Sequence, residues 1–242
     1  MTDFGADVVL LQESTPSGLP KVHDFIVVPP PTENWKIANA PKNGTSATAS
    51  VIVNTSIGCE PGPYMFASHP GQFSIVHVPF GAKGLYLVSI YGILQDDFAD
   101  GALHRALSDL APIFESGADV LVAGDLNSFR GYSLSGSQQA IDRHAALFSR
   151  FEQFGLKDIG PFSSNGPLDN CPCNNRVDCT HVHTYRYMNR EGERRFQNDY
   201  VFGTKGVQNS LVSCKALTDE NPSLWELSDH APIEVVLKLD SK

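Results

Sequence analysis

Long hydrophobic runs are missing from this sequence. No apolar stretch in its 242 residues approaches the roughly 18 residues that a membrane-spanning helix needs. MTDFGADVVL has neither a basic start nor a small-residue cleavage pattern, so no secretory leader is expected. The expectation is a cytoplasmic, monomeric protein. Positive charge is scarce: 18 Lys and Arg stand against 27 Asp and Glu, a formal net charge of −9. That balance argues against a nonspecific grip on nucleic acid and leaves room for a local basic site. The cysteine count of five is odd, which with no leader favours reduced thiols over a disulfide framework. Repeats, low-complexity tracts and linkers are also lacking. One domain over residues 1–242 is therefore the simplest reading.

What is present is a sizeable core, with 41% hydrophobic and 10% aromatic residues, cut into short apolar runs by turn signals. Strands are expected at Asp7 to Leu11, Phe25 to Val28, Ala49 to Val53, Phe73 to Val78, Leu85 to Tyr91, Val120 to Ala123, Tyr200 to Phe202 and Ile233 to Leu239. The turn at 81–84 (GAKG) makes a hairpin of the fourth and fifth. Two helices are expected. One runs from Asp100, its expected cap, to Ser116. The other runs from Gln138 to Phe154, with Ile141, Ala145, Phe148, Phe151 and Phe154 inward and Gly155 as its stop. Residues 14–45 and 160–180 read as long polar connections. The fold class is α/β (α+β), with sheets packed together and helices outside.

Polar residues interrupt this pattern where strands begin or end. Glu13 closes the first strand, Asp125 and Asn127 close the strand at Val120, Asp199 opens the strand at Tyr200, and Asp229 and His230 precede the last strand. In extended backbone, residues two apart share a face, which would aim Asp125 and Asn127 together. Each acid taken singly has a bland reading as a turn or cap residue. Gathered at one sheet edge, the carboxylates would repel unless a divalent cation neutralised them. Oxygen donors suit Mg²⁺ or Mn²⁺ rather than zinc.

LLQES (10–14), SIYG (89–92), GDLN (124–127), NDYVF (198–202) and LSDHAPIEV (227–235) occur in an order that resembles the endonuclease/exonuclease/phosphatase superfamily, nearly throughout the chain. The resemblance implies a deoxyribonuclease I-like four-layer sandwich of two packed mixed β-sheets flanked by helices. It also implies Mg²⁺-dependent hydrolysis of phosphoester bonds, with nucleic acid as a candidate substrate. By position, Glu13 matches a metal-binding acid and Asp229 a further acid of the metal site. Asp125 matches the acid that orients or activates water, and Asn127 the amide that holds phosphate. His230 matches the histidine that contacts the scissile phosphate or acts as general base, and Asp199 the acid that orients it. Tyr91 matches a tyrosine that reaches phosphate in the AP endonuclease branch; a core aromatic is the competing reading.

His183 and Arg186 resemble a basic segment that some bacterial members carry, which makes them candidates for substrate binding. A solvated hairpin is the alternative for residues 181–195. The family normally has a strand and a helix before LLQE, the strand supplying an Asn to the metal site. Here Val8 stands too near the start, so the expectation is a longer natural protein and weakened metal binding. The competing functional class is a lapsed relative acting as a binding module; within the enzyme class, a small-molecule phosphatase competes with a nuclease. Finally, Cys171, Cys173, Cys179, His181 and His183 offer enough ligands for zinc, but CxC is not the usual spacing. Reduced thiols or a Cys171–Cys179 disulfide are the favoured expectations.

Overall fold

The computed structural model describes residues 5–14, 25–28, 48–62, 71–94, 99–163, 168, 171–173, 178–190 and 192–238. The expectations for residues 15–24 and 29–45 and for much of 160–180 lie outside them. The chain forms two compact units, Met1–Leu126 and Asn127–Ser241.

In the first unit, β1 (Val8–Ser14), β2 (Phe25–Val28) and β3 (Thr48–Asn54) make an antiparallel sheet in the order β1-β3-β2. A second sheet runs β4 (Glu60–Pro61), β5 (Phe73–Val78), β6 (Leu85–Tyr91) and β7 (Asp119–Asp125). It is mixed: β5 and β6 pair antiparallel, as the turn at 81–84 requires, and β6 and β7 pair parallel. The near-continuous apolar runs of β5, β6 and β7 are buried almost throughout, as strands covered on both faces must be. Gln12 and Ser74 tie the sheets together, Gln12 donating to Ser89 Oγ at 2.9 Å and Ser74 Oγ donating to the Val28 carbonyl at 2.8 Å.

The expected helix at 100–116 is two helices, α1 (Asp100–Asp109) and α2 (Ala111–Glu115). Pro112 lacks the N–H that would continue one ladder, so the chain breaks at Leu110. Asp100 is not the cap. Ala99 takes that position with no side-chain hydrogen bond, and Asp100 is buried in the first turn.

The second unit holds α3 (Gln138–Gln153), β8 (Lys157–Gly160), β9 (Tyr185–Asn189), β10 (Gly192–Phe196), β11 (Asp199–Gly203), α4 (Lys205–Ser210), β12 (Leu211–Ala216) and β13 (Ile233–Leu237). β8 pairs with β11, β9 with β10 and β12 with β13, all antiparallel. The buried line of α3 is Ala140, His144, Leu147 and Phe151. Of the residues expected inward, Phe151 is buried, Ile141, Phe148 and Phe154 are half-buried, and Ala145 is exposed. β11 packs on this face, its Phe202 ring stacked on Phe151 at 4.0 Å and Tyr200 meeting Phe148 edge-on at 4.9 Å. Among the described residues no helix is long and apolar enough to cross a membrane.

Candidate active site

Glu13 sits on a bulge. Between Leu11 and Ser14, β1 advances one residue more than its partner, which moves only from Ser50 to Thr48. The extra residue lets Glu13 adopt φ 52, a left-handed conformation rare outside glycine. Its exposed carboxylate accepts a hydrogen bond from the Tyr91 hydroxyl at 2.6 Å. Tyr91 ends β6 directly beside Asp125 in the parallel ladder, and the Gly92 N–H donates to the Asp125 carbonyl at 2.7 Å. Burial pushes the Tyr91 phenol far above its ordinary range. The hydrogen bond and charge of Glu13, then the charge of Asp125, push it further. Tyr91 therefore stays protonated and donates, and it lies in the negative field of both carboxylates.

Asp125, itself buried, ends β7, one residue before the first unit ends at Leu126. Asn127 opens the second unit with φ 47. The strand stops at Asp125, so the period-two argument for a shared face does not extend to Asn127. Among the described residues, Glu13 and Asn127 are the two non-glycine residues with positive φ. Unusual backbone thus falls on two residues that the sequence singled out for chemistry, a pattern common at functional sites.

The second unit builds an acid–imidazole pair. Asp199 opens β11, is buried, and faces the half-buried His230. The carboxylate lies 2.9 and 3.2 Å from His230 Nδ1 through its two oxygens. An ionised carboxylate only accepts, so Nδ1 carries the proton and Nε2 faces away. Thr184, fully buried, holds the pair in place: its Oγ1 accepts from the backbone N–H of Asn198 and of Asp199, each at 3.0 Å. Its carbonyl accepts from the Ala231 N–H at 2.8 Å, and the Arg186 N–H donates to the Asp229 carbonyl at 2.8 Å. Residues 184–186 therefore pin the 229–231 segment, with Tyr185 bridged to His230 and their rings 4.7 Å apart. Ser228 Oγ accepts from the His230 N–H at 3.0 Å, and Asn198 Nδ2 donates to Asn127 Oδ1 at 3.4 Å.

No protein-family model and no curated protein sequence matches the chain. Solved structures do. One is the endonuclease domain of TRAS1, a telomere-specific non-LTR retrotransposon, at 17% identity over 99% of this chain and 90% of that one, with a TM-score of 0.64. Another is the AP endonuclease LMAP from Leishmania major, at 15% identity over 99% and 80% with a TM-score of 0.64. A third is the 3'-5' exonuclease NExo from Neisseria meningitidis, at 13% identity over 96% and 89% with a TM-score of 0.61. The chain has the deoxyribonuclease I-like fold. This is the fold of the endonuclease/exonuclease/phosphatase superfamily, which the five motifs resemble.

Within this deoxyribonuclease I-like chain, Arg186 is committed elsewhere. Its guanidinium donates to the Trp225 carbonyl and lies 5.7 Å from the Trp225 ring, clamping the short turn of Pro222–Glu226. Arg186→Ala is expected to lower the unfolding free energy by about 1–3 kcal/mol, the usual scale for a charged hydrogen bond; denaturant titration measures it. Arg195 pairs with Glu193 at 2.5 Å and also covers Trp225. The basic stretch is the hairpin β9–β10. His183 is held toward its neutral form by burial, then by the charge of Arg195. Asp229 is exposed, in the turn before β13.

Sequence reasoning passed over Thr184, Tyr185, Asn198 and Ser228. Asn198 stands inside a quoted motif, and Thr184 and Tyr185 inside the basic stretch. Nothing in local pattern separates them from surface polar residues.

Proposed function

We propose that this protein is a metal-dependent phosphodiesterase acting on nucleic acid. The observation that carries the reading is the Asp199–His230 pair, 2.9 Å apart and held from behind by Thr184 and Tyr185. The fold supports it, because the similar structures include endonuclease and exonuclease domains.

Asp199 fixes the imidazole tautomer, so His230 Nε2 is the atom that takes a proton or, once charged, donates to a phosphate oxygen. Asp125, at the end of a buried strand, positions and deprotonates the attacking water. Asn127, its carbonyl oxygen turned to Asn198, offers its amide N–H groups to a phosphate oxygen. The oxygen donors of Glu13 and Asp125 place a negative field on Tyr91, and that donor chemistry fits a hard dication, Mg²⁺ or Mn²⁺, with Asp229 as a further acid. Such an ion supplies Lewis acidity that offsets charge on the pentavalent transition state. Tyr91 orients the Glu13 carboxylate.

Tyr91→Phe tests that role. Losing an outer partner of a metal ligand weakens metal affinity by roughly 10-fold or more. The Mg²⁺ concentration for half-maximal activity is expected to rise accordingly, with kcat at saturation little changed. An unchanged Mg²⁺ titration would assign Tyr91 to packing. For the activity itself, the assay is hydrolysis of single-stranded, duplex and abasic DNA, RNA, and a small phosphate monoester, each with Mg²⁺, Mn²⁺ or chelator. Metal-dependent cleavage of a nucleic-acid diester is expected. Turnover of the monoester alone would replace this reading with a phosphatase, and no turnover combined with no metal stabilisation would replace it with a binding module.

A further inference from the structure

The segment 171–181 carries one spacing twice, as Cys171-Pro172-Cys173 and Cys179-Thr180-His181. The fold brings the two pairs to one point. Cys173 Sγ lies 3.1 Å from Cys171 Sγ, and Cys171 Sγ lies 3.5 Å from Cys179 Sγ. His181 Nδ1 is 3.3 Å from Cys171 Sγ and 3.2 Å from Cys179 Sγ. All four ligand atoms lie within 4.8 Å of one another on buried side chains. His183, weighed with them from sequence, is not in the group.

The geometry and the tautomer both point to a metal. A tetrahedral zinc site has Zn–S near 2.3 Å and Zn–N near 2.0–2.1 Å, which separates its ligand atoms by about 3.5–3.8 Å. The Cys171–Cys179 separation and the two sulfur–Nδ1 separations need only a few tenths of an ångström of expansion to match that estimate, and the Cys171–Cys173 separation about 0.7 Å. His181 Nε2 lies 2.8 Å from the Arg130 carbonyl oxygen. A carbonyl only accepts, so Nε2 carries the proton and Nδ1 presents its lone pair to the three sulfurs. This is the outer-shell arrangement that orients metal-binding imidazoles. A disulfide would join two sulfurs at about 2.05 Å and leave a third thiol and an imidazole lone pair buried against it. No disulfide joins any two of the three cysteines.

We infer that Cys171, Cys173, Cys179 and His181 bind one zinc ion. Four protein ligands close a tetrahedron and leave no position for water, which makes the site structural rather than hydrolytic. It is distinct from the oxygen-donor set assigned to Mg²⁺, and it stands whether or not the protein is a nuclease. Its place in the second unit gives it a task. The thiols pack with Phe129, Tyr132, Phe196 and Tyr185. The His181 ring meets Tyr132 edge-on at 5.2 Å, and the Arg130 carbonyl follows Asn127 by three residues. Zinc would thus staple the connection at 171–181 to the segment that begins at Asn127 and to the strand whose Tyr185 supports His230.

The test is metal content. Tag-free protein purified under reducing conditions from zinc-supplemented cells is expected to contain about one zinc per chain by elemental mass spectrometry, with X-ray absorption reporting three sulfurs near 2.3 Å and one nitrogen. Cys173→Ser should lose most of the zinc and lower Tm by roughly 10 °C, while Cys214→Ser, outside the cluster, keeps it. If Cys173→Ser does not fold, cobalt exchange into the wild-type protein keeps the question answerable, since thiolate-to-cobalt charge-transfer bands must appear. Zinc-free folded protein, a Cys171–Cys179 disulfide in peptide mapping, or cobalt protein without thiolate bands would each overturn the inference.

Discussion

His230→Ala is expected to lower metal-dependent phosphodiester hydrolysis by a factor of about 10² to 10⁴, the range for removing a positioned acid or base. The loss should fall on kcat, because Nε2 acts on the reacting phosphate or its water rather than on distant parts of the substrate. Asp199→Asn should approach the same loss. An amide at that position can donate toward Nδ1 and so favour the wrong tautomer, although the 2.9 Å contact remains sterically possible. The ring of His230 is only half-buried, so its truncation should leave Tm close to that of the wild type, which separates chemistry from folding. Full turnover by folded His230→Ala would remove the imidazole from the mechanism and with it the proposed role of Asp199.

The second large effect lies in the backbone of GDLN. Gly124 has φ 156, and a Cβ built there would stand 1.9 Å from the Ile90 carbonyl oxygen and 3.0 Å from Gln12 Nε2. Ile90 is its ladder partner on β6, so the clash is with backbone that cannot swing aside. Gly124→Ala must part β6 from β7 or twist the strand end that carries Asp125. The expected cost is about 3 kcal/mol or more, at the upper end for overpacking. In a chain of this size that lowers Tm by roughly 6–12 °C. Activity should fall as well, because Asp125 shifts with the strand. A Tm within about 2 °C of wild type would show that the sheet absorbs the methyl and that the close approach is not limiting.

Phe25–Val28, Phe73–Val78 and Leu85–Tyr91 were legible in the sequence to the residue, because continuous apolar runs bounded by turn residues have one physical reading. Most of the proposed site residues were legible for the opposite reason: Glu13, Asp125, Asn127, Asp199, Asp229 and His230 put polar groups at the ends of apolar strands, where a glycine would have turned the chain. Elsewhere the local pattern was ambiguous. On α3 the periodicity placed Phe151 and Phe148 against the core, but it also placed Ala145 there, which is exposed, and it missed His144 and Leu147, which are buried. Arg186 was a candidate for substrate binding on its sequence, and its contact with Trp225 was not legible there, since sequence does not say which neighbour a guanidinium meets first.

By itself, the sequence determined the apolar core strands, which of their ends carry acids, amides and an imidazole, and the family that the five motifs resemble; the more polar strands Glu60–Pro61, Lys157–Gly160, Tyr185–Asn189, Gly192–Phe196 and Leu211–Ala216 went unread. These properties depend on residues adjacent along the chain. Tertiary structure alone decided the bulge that turns Glu13 to φ 52, the bracing of Asp199 and His230 by Thr184 and Tyr185, and the closure of Cys171, Cys173, Cys179 and His181 on one point. Each of these depends on strand register and loop closure, which side-chain spacing does not encode. An unusual CxC spacing therefore read as a loop of thiols until the fold brought its two halves together.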